Sequence, residues 1–299
     1  MSLALYHPEV GYYRRPGERV GYAPGTDFFT ASTSGAVFGE LVAAACAKLL
    51  RAAGRDPAAH AFVEIGAEPG SAGVLHGVKH PFAAARVVRG ADQEPPPIAG
   101  ECVLFSNELF DAQPFIRAVS HGGHWRPIGV RLEGERLVEV LQADGLDRFA
   151  PPLAEGYRFD APMAATGLCE AIVSPPWRGL FVAIDYGKSE RELLQHTPAG
   201  TARAYWRHTQ HNDLLARPGE QDLTCHVCWD WLMGVLDRTG FSHTALESQE
   251  AFFIRHAGDY IAAASVADAA TVTPRKRSLQ QLLHPAHLGQ KFQVLHGLR

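Results

Sequence analysis

The clearest pattern along the chain is a series of short apolar runs that end in acidic, amide or glycine residues. Phe62-Val63-Glu64-Ile65-Gly66, Glu101-Cys102-Val103-Leu104-Phe105-Ser106 and Leu180-Phe181-Val182-Ala183-Ile184-Asp185 read as buried strands. Ala85-Arg86-Val87-Val88-Arg89 reads as another. Helical spacing of apolar positions runs over 34–53, with Val37, Phe38, Leu41, Ala45, Leu49 and Leu50 on one face. Helices are also expected over 71–80, 163–172 and 228–236, the last closed by Gly240. Helical apolar spacing recurs over 278–298, interrupted by Pro285 and two glycines. Segments 115–119, 125–132 and 136–141 alternate and are separated by Gly122-Gly123 and Glu133-Gly134, which predicts an inserted β-region. The polar stretch 189–221 reads as an ordered loop or lid. Strands interleaved with helices predict an α/β, Rossmann-like fold. Its sheet should be abbreviated: residues 62–89 hold one strand–helix–strand unit, and the next strand follows at 101 without room for another helical crossover.

Composition narrows the function classes. The formal charge of −4 leaves no basic surface for nucleic acid, and Arg275-Lys276-Arg277 is too short to supply one. No apolar run approaches the roughly 18 residues of a membrane span. Tyr6-His7-Pro8 interrupts the opening before a signal-peptide core can form, so cytoplasm is the expected compartment. Five scattered cysteines give no disulfide framework. Cys225-His226-Val227-Cys228 has metal-pair spacing without a second pair, so two half-buried thiols and no metal are expected.

The candidate chemistry lies at strand ends. In a parallel α/β sheet, ligands bind beyond the carboxyl ends of the strands. Glu64 to Gly70, Asn107-Glu108-Leu109-Phe110-Asp111 and Asp185-Tyr186-Gly187 can therefore converge on one crevice. Each alone is equally a helix cap or a turn. Glycine after the first strand lets backbone N–H groups approach a nucleotide-like cofactor. Glu108 and Asp111, three apart, would share one face of a starting helix. Asp27 and Thr30, ahead of the first long helix, could cap it or touch a ligand.

Several blocks carry a resemblance: Tyr6-His7-Pro8 with Gly11-Tyr12-Tyr13, Asp27-Phe28-Phe29-Thr30-Ala31, Phe38-Gly39-Glu40, Glu64-Ile65-Gly66-Ala67, Asn107-Glu108-Leu109-Phe110-Asp111-Ala112-Gln113-Pro114 and Ile184-Asp185-Tyr186-Gly187. Arg217-Pro218-Gly219-Glu220-Gln221-Asp222-Leu223-Thr224 with His226, and Leu283-His284-Pro285 ahead of Gly289 and Phe292, complete them. Together, in this order, they resemble the MidA-like family of class I S-adenosylmethionine-dependent methyltransferases, relatives of a complex I assembly factor that methylates a protein arginine.

The resemblance implies S-adenosyl-L-methionine as cofactor and a protein as substrate or assembly partner. It implies cofactor binding by Glu64, Gly66, Ala67, Gly70, Asn107, Asp27 and Thr30, with Asp92 the one acid placed to hold the ribose. Glu108 and Asp111 would be the catalytic acids that orient a guanidinium. Asp185, Tyr186, Asp222, Thr224 and His226 would face the substrate. It divides the chain into an N-terminal docking segment and helix, 1–60, and a methyltransferase domain, 61–299, with insertions near 113–175 and 188–221. The chain departs from the family at Glu68-Pro69, where glycine is usual. Proline removes one N–H donor, and Glu68 would face the carboxylate of the cofactor's methionine moiety. That departure motivates a second reading, a binding or assembly protein that kept the scaffold without the cofactor. A dinucleotide-dependent oxidoreductase would rest on the glycine loop alone.

Overall fold

The computed structural model describes residues 1–15, 19, 26–27, 35–68, 70–88, 98–143, 145–146, 148–152, 154–268, 271 and 273–299. The predicted strands form one sheet: β1 (Ala61–Ile65), β2 (Ala84–Val88), β3 (Gly100–Asn107), then, beyond the inserted β-region, β8 (Trp177–Asp185). Its order is β14-β15-β8-β3-β1-β2, with β14 (Ser242–Ser248) and β15 (Gln293–Leu298) added from the C-terminal region. β2, β1, β3 and β8 are parallel, whereas β15 runs antiparallel to both neighbours. Among the described residues the sheet ends at β2, as the short spacing before residue 101 predicts.

Alternation along the strands divides the core between two faces. Phe62, Val103, Phe105, Val182 and Val294 pack under α2 (Ala36–Ala52), α6 (Gln249–His256) and α8 (Pro274–Leu283), with α7 (Gly258–Ala267) alongside. Val63, Leu104, Phe181 and Leu295 pack under α3 (Met163–Val173) and α5 (Trp229–Arg238). Trp177 and Trp229 are almost wholly buried on that second face, each side chain contributing about 2–3 kcal/mol of apolar transfer.

The inserted β-region is an antiparallel sheet of β4 (Ile116–His121), β5 (His124–Glu133), β6 (Arg136–Leu141) and β7 (Arg158–Ala161). Ser189 starts α4 (Glu190–Gln195) with a capping box to Glu192, and β9 (Gly187–Lys188) pairs with β13 (Val227–Cys228). β10 (Arg203–Trp206), β11 (Thr209–His211) and β12 (Asp222–Thr224) form a second small sheet, against which α1 (Ser2–Tyr6) and Tyr12 pack.

Three expectations give way here. Residues 71–80 form turns and not a helix, because Gly70, Gly73 and Gly77 all take positive φ. Segment 189–221 is a packed region and not a polar loop: Leu193, Leu194, Ala202 and Ala204 are buried, and its charges lie on the outer faces. The last stretch is α8, a kinked turn at Pro285–Gly289 and then strand β15, so its apolar residues serve two different periods.

Candidate active site

The carboxyl ends of β1, β3 and β8 meet where the sequence places them. Gly66 turns the chain at φ +80° and donates its N–H to the Val88 carbonyl at 2.9 Å. A Cβ there would come within 2.5 Å of the Leu109 side chain, so glycine answers both the turn and the close approach of the Asn107–Asp111 loop. The Glu64 carboxylate accepts the Val74 N–H at 2.6 Å and orders the turns that replace the expected helix. Ala67 is half-buried and Gly70 is exposed. A cavity of about 320 Å³ lies between β1, β2 and these turns, lined by Glu64, Gly73, His76, His80 and Arg86 among others.

On the β3 side no helix begins at Glu108, so Glu108 and Asp111 do not share a helical face. Glu108 instead takes φ +51°, a strained conformation for a side chain of its size, and its N–H reaches the Ile184 carbonyl at 2.9 Å. The loop is held by Asp185, whose carboxylate accepts N–H groups of Phe110 at 2.9 Å, Asp111 at 3.3 Å and Tyr186 at 2.8 Å. Asp185 was expected to face a substrate; it has no exposed surface, and its carboxylate fixes the backbone of Phe110, Asp111 and Tyr186. Asn107 donates to Glu108 at 3.0 Å. The Tyr186 hydroxyl bonds to the Asp111 carboxylate, and the Tyr186 ring packs edge-on to His226 and Phe292.

The N-terminal segment closes the crevice from above. The Tyr13 hydroxyl donates to Asp222 at 2.8 Å, and the Tyr12 hydroxyl to Asp27 at 2.8 Å. Asp27 also accepts the Arg207 N–H at 2.7 Å through its other oxygen, so one oxygen holds Tyr12 and the other ties this segment to the β10–β11 turn. Asp222 and Thr224 are buried on β12, and the His226 N–H bonds Thr201 at 3.2 Å. Thr30 and Asp92 lie outside the described residues. Arg19, which the sequence reading passed over, is buried between the rings of Tyr12 and Tyr13 and faces Glu68 at 3.5 Å. Tyr205, another residue not foreseen, stands within electrostatic reach of Asp111 and Asp222. The resemblance implied a docking segment here, but the pairs themselves join residues up to 209 positions apart.

Burial dominates the electrostatics. It pushes Asp111 well above the usual carboxylate range, the charges of Asp185 and Asp222 adding to the rise against the Tyr186 bond. Burial takes Asp185 to about 7 against its backbone donors, with Glu108 adding, and Asp222 to about 7 against the Tyr13 bond, with Glu68 and Asp27 adding. Glu68 is raised by burial and held back by Arg19. Burial lowers His226 to about 4, helped by Lys188 and Arg203, so its imidazole is neutral near pH 7. Cys225 and Cys228 are fully buried free thiols, more enclosed than expected, with burial pushing Cys225 well up and Cys228 to about 12. Elsewhere, Glu247, His256 and His296 converge, with ligand atoms within 4.8 Å of one another, a cluster the sequence did not suggest.

These residues suit a cationic cofactor. Among the described residues Asn107 Oδ1 and Asp111 Oδ1 are buried acceptors without a donor, and burial, with neighbouring charges adding, disfavours ionisation of Asp111 and Asp185. A sulfonium ion with donor groups would relieve both conditions.

Two solved structures share the whole architecture. A crystal structure of a superfamily member and "likely methyl transferase" from Burkholderia thailandensis bound to S-adenosyl-homocysteine has 24% identity and a TM-score of 0.85, covering 100% of this chain and 86% of that one. The native crystal structure of an uncharacterized protein from the same organism has 24% identity and a TM-score of 0.82, covering 100% of this chain and 85% of that one. Both share the fold of this chain, an α/β methyltransferase sheet. None of the curated proteins searched matches. The profile of a family described as "Putative S-adenosyl-L-methionine-dependent methyltransferase" matches residues 85–245, more than half of the chain. With its mixed sheet and strand-end crevice, the protein belongs to this family of S-adenosylmethionine-dependent methyltransferases.

Proposed function

We propose that the crevice methylates a nitrogen of a protein arginine side chain. The observation that carries this reading is the cluster of buried Asp111, Asp185 and Asp222 with half-buried Glu108 beside them: burial first, and then the charges of neighbouring carboxylates, hold the three aspartates above the usual carboxylate range, which a cation entering the crevice would offset. A guanidinium supplies positive charge and a planar set of donors that match paired carboxylates. Glu64, Gly66, Ala67, Gly70 and Asn107 would hold S-adenosylmethionine, which when bound supplies an electrophilic methyl group. Glu108 and Asp111 would orient the guanidinium in line with that group, and Glu108 would take the proton the nitrogen loses. Tyr186 keeps Asp111 in place through its hydroxyl. Asp222, Thr224 and His226 would line the approach of the substrate. The test is mass spectrometry of arginine-containing peptides incubated with the protein and methyl-labelled cofactor. Modified arginine in the wild type and none with Glu108→Gln is the expected result; label found only on lysine or a terminus would sink the arginine assignment.

A second reading, a methyltransferase-fold binding or assembly protein with weak or no transfer, is favoured by the Arg19–Glu68 pair beside the cofactor loop. Calorimetric titration with S-adenosylmethionine separates the two. Absence of heat at millimolar cofactor would favour the second.

A further inference from the structure

Outside the crevice, three side chains from three elements meet on the α6 side of the sheet. Glu247 is near the end of β14, His256 ends α6 and His296 lies on β15. His296 shares a face with Val294, two positions earlier, which packs in the core beneath α6. Their ligand atoms all lie within 4.8 Å of one another. Both imidazoles direct Nε2 at the same atom, Glu247 Oε1, at 2.9 Å from His256 and 3.0 Å from His296. The rings meet at 76° with centroids 5.4 Å apart, so the two nitrogens reach that point from different directions. We propose that Glu247, His256 and His296 bind a divalent transition-metal ion, zinc foremost, which ties α6 to the β14–β15 edge.

Several features favour a metal over a carboxylate that merely accepts two hydrogen bonds. Two imidazoles and one carboxylate are a donor set that suits zinc, with a water able to complete four-coordination. The side chains are enclosed, with Glu247 7%, His296 8% and His256 14% exposed. The ring of Phe252 packs against both histidines and dries one side, which strengthens coordination. Arg255, largely exposed, contacts the other Glu247 oxygen, as outer partners of ligating carboxylates do, and marks the side open to solvent. Nothing in the proposed methyl transfer calls on these residues, and β15 and β8 both lie between β14 and β3, which leads into the Asn107–Asp111 loop.

The test uses the full chain, stripped with a chelator and titrated with zinc chloride against a chromophoric competitor. One equivalent should bind, the melting temperature should rise by about 5 °C at a hundredfold excess over Kd, and magnesium should do neither. Cobalt(II) in place of zinc should give the intense visible absorption of a four-coordinate ion. Glu247→Gln keeps an acceptor for both imidazoles, so it should fold while binding zinc at least about a hundredfold more weakly; His256→Gln should behave alike. A stripped wild type that takes up no zinc overturns the proposal. So does zinc bound by both variants as tightly as by the wild type, which would place the ion elsewhere.

Discussion

The two sides of the crevice are built differently. On the β3–β8 side, the strands pair over eight residues, most of them buried, and Asp185 fastens the Asn107–Asp111 loop through three backbone N–H groups. On the β1–β2 side, β2 is half-exposed, turns stand where a helix was expected, and a cavity lies behind them. There the loop proposed to hold the cofactor meets Arg19 of the N-terminal segment through Glu68. The contrast teaches that the groups proposed to hold the reacting nitrogen are preorganised by the sheet, whereas the cofactor side depends on a segment folding back over it. Substitutions on the two sides should therefore fail in different ways.

The largest effect is expected at Glu108. Glu108→Gln keeps the shape and removes the proton acceptor, so the rate of methyl transfer should fall about 10²- to 10⁴-fold with little change in melting temperature. Glu108→Gly should be equally inactive yet about 1 kcal/mol more stable, because it relieves a side chain held at φ +51°. An active Glu108→Gly would remove the catalytic argument, and one no more stable than the wild type would remove the strain argument. Next comes Asp185→Ala, which leaves three donors buried without an acceptor. A loss of about 3 kcal/mol or more is expected, seen as a fall of several degrees in thermal denaturation. If Asp185→Ala melts like the wild type but fails only in turnover, Asp185 contacts the substrate after all.

What the sequence made legible follows the same division. β1, β3 and β8 are continuous apolar runs because both faces are covered, and the inserted β-region alternates because only part of it is. Val74, Leu75 and Val78 have helical spacing, yet Gly73 must take φ +94° where a Cβ would strike Val87 and Glu64. Backbone sign, which a pattern of apolar residues does not encode, decided that segment. β14 and β15 were hidden for a different reason: Glu247 and His296 satisfy each other inside, so the strands carry polar residues at enclosed positions. At the site, the Asn107-Glu108 block was readable because its residues are contiguous. Arg19 with Glu68 and Tyr13 with Asp222 were not, because each pair is made by tertiary folding.

The pH response sharpens the comparison. Asp185 and Asp222 titrate near 7 when folded and near 4 when unfolded, so the native state binds more protons between those values. Stability should therefore fall as pH rises from about 4 through 7, and Asp222→Asn should flatten the slope measured by denaturant titration. A bound cation favours the ionised carboxylates, so affinity for a guanidinium substrate should rise from pH 6 to 8. Affinity that is flat across this range would place the substrate away from the cluster.

The smallest effect distinguishes two ways in which Glu68 could weaken cofactor binding. Glu68 and Arg19 are 3.5 Å apart, with Arg19 buried and Glu68 about one-third exposed. If Glu68 repels the cofactor's carboxylate directly, Glu68→Gln should tighten binding whether or not Arg19 is present. If Glu68 acts by occupying the guanidinium that would otherwise receive that carboxylate, the gain should vanish in an Arg19→Ala background. A half-screened pair of this kind is worth about 1 kcal/mol, so the single substitution should change Kd by roughly three- to tenfold in a calorimetric titration. The geometry favours the second outcome. Among the described residues the buried Nε of Arg19 has no acceptor, and its guanidinium also donates to the carbonyls of Tyr12 and Arg15, which fixes it at the crevice. Arg19→Ala alone should then loosen cofactor binding, and the two changes together should be non-additive. Strict additivity would mean that Arg19 closes the N-terminal segment over the loop without touching the cofactor's acid group.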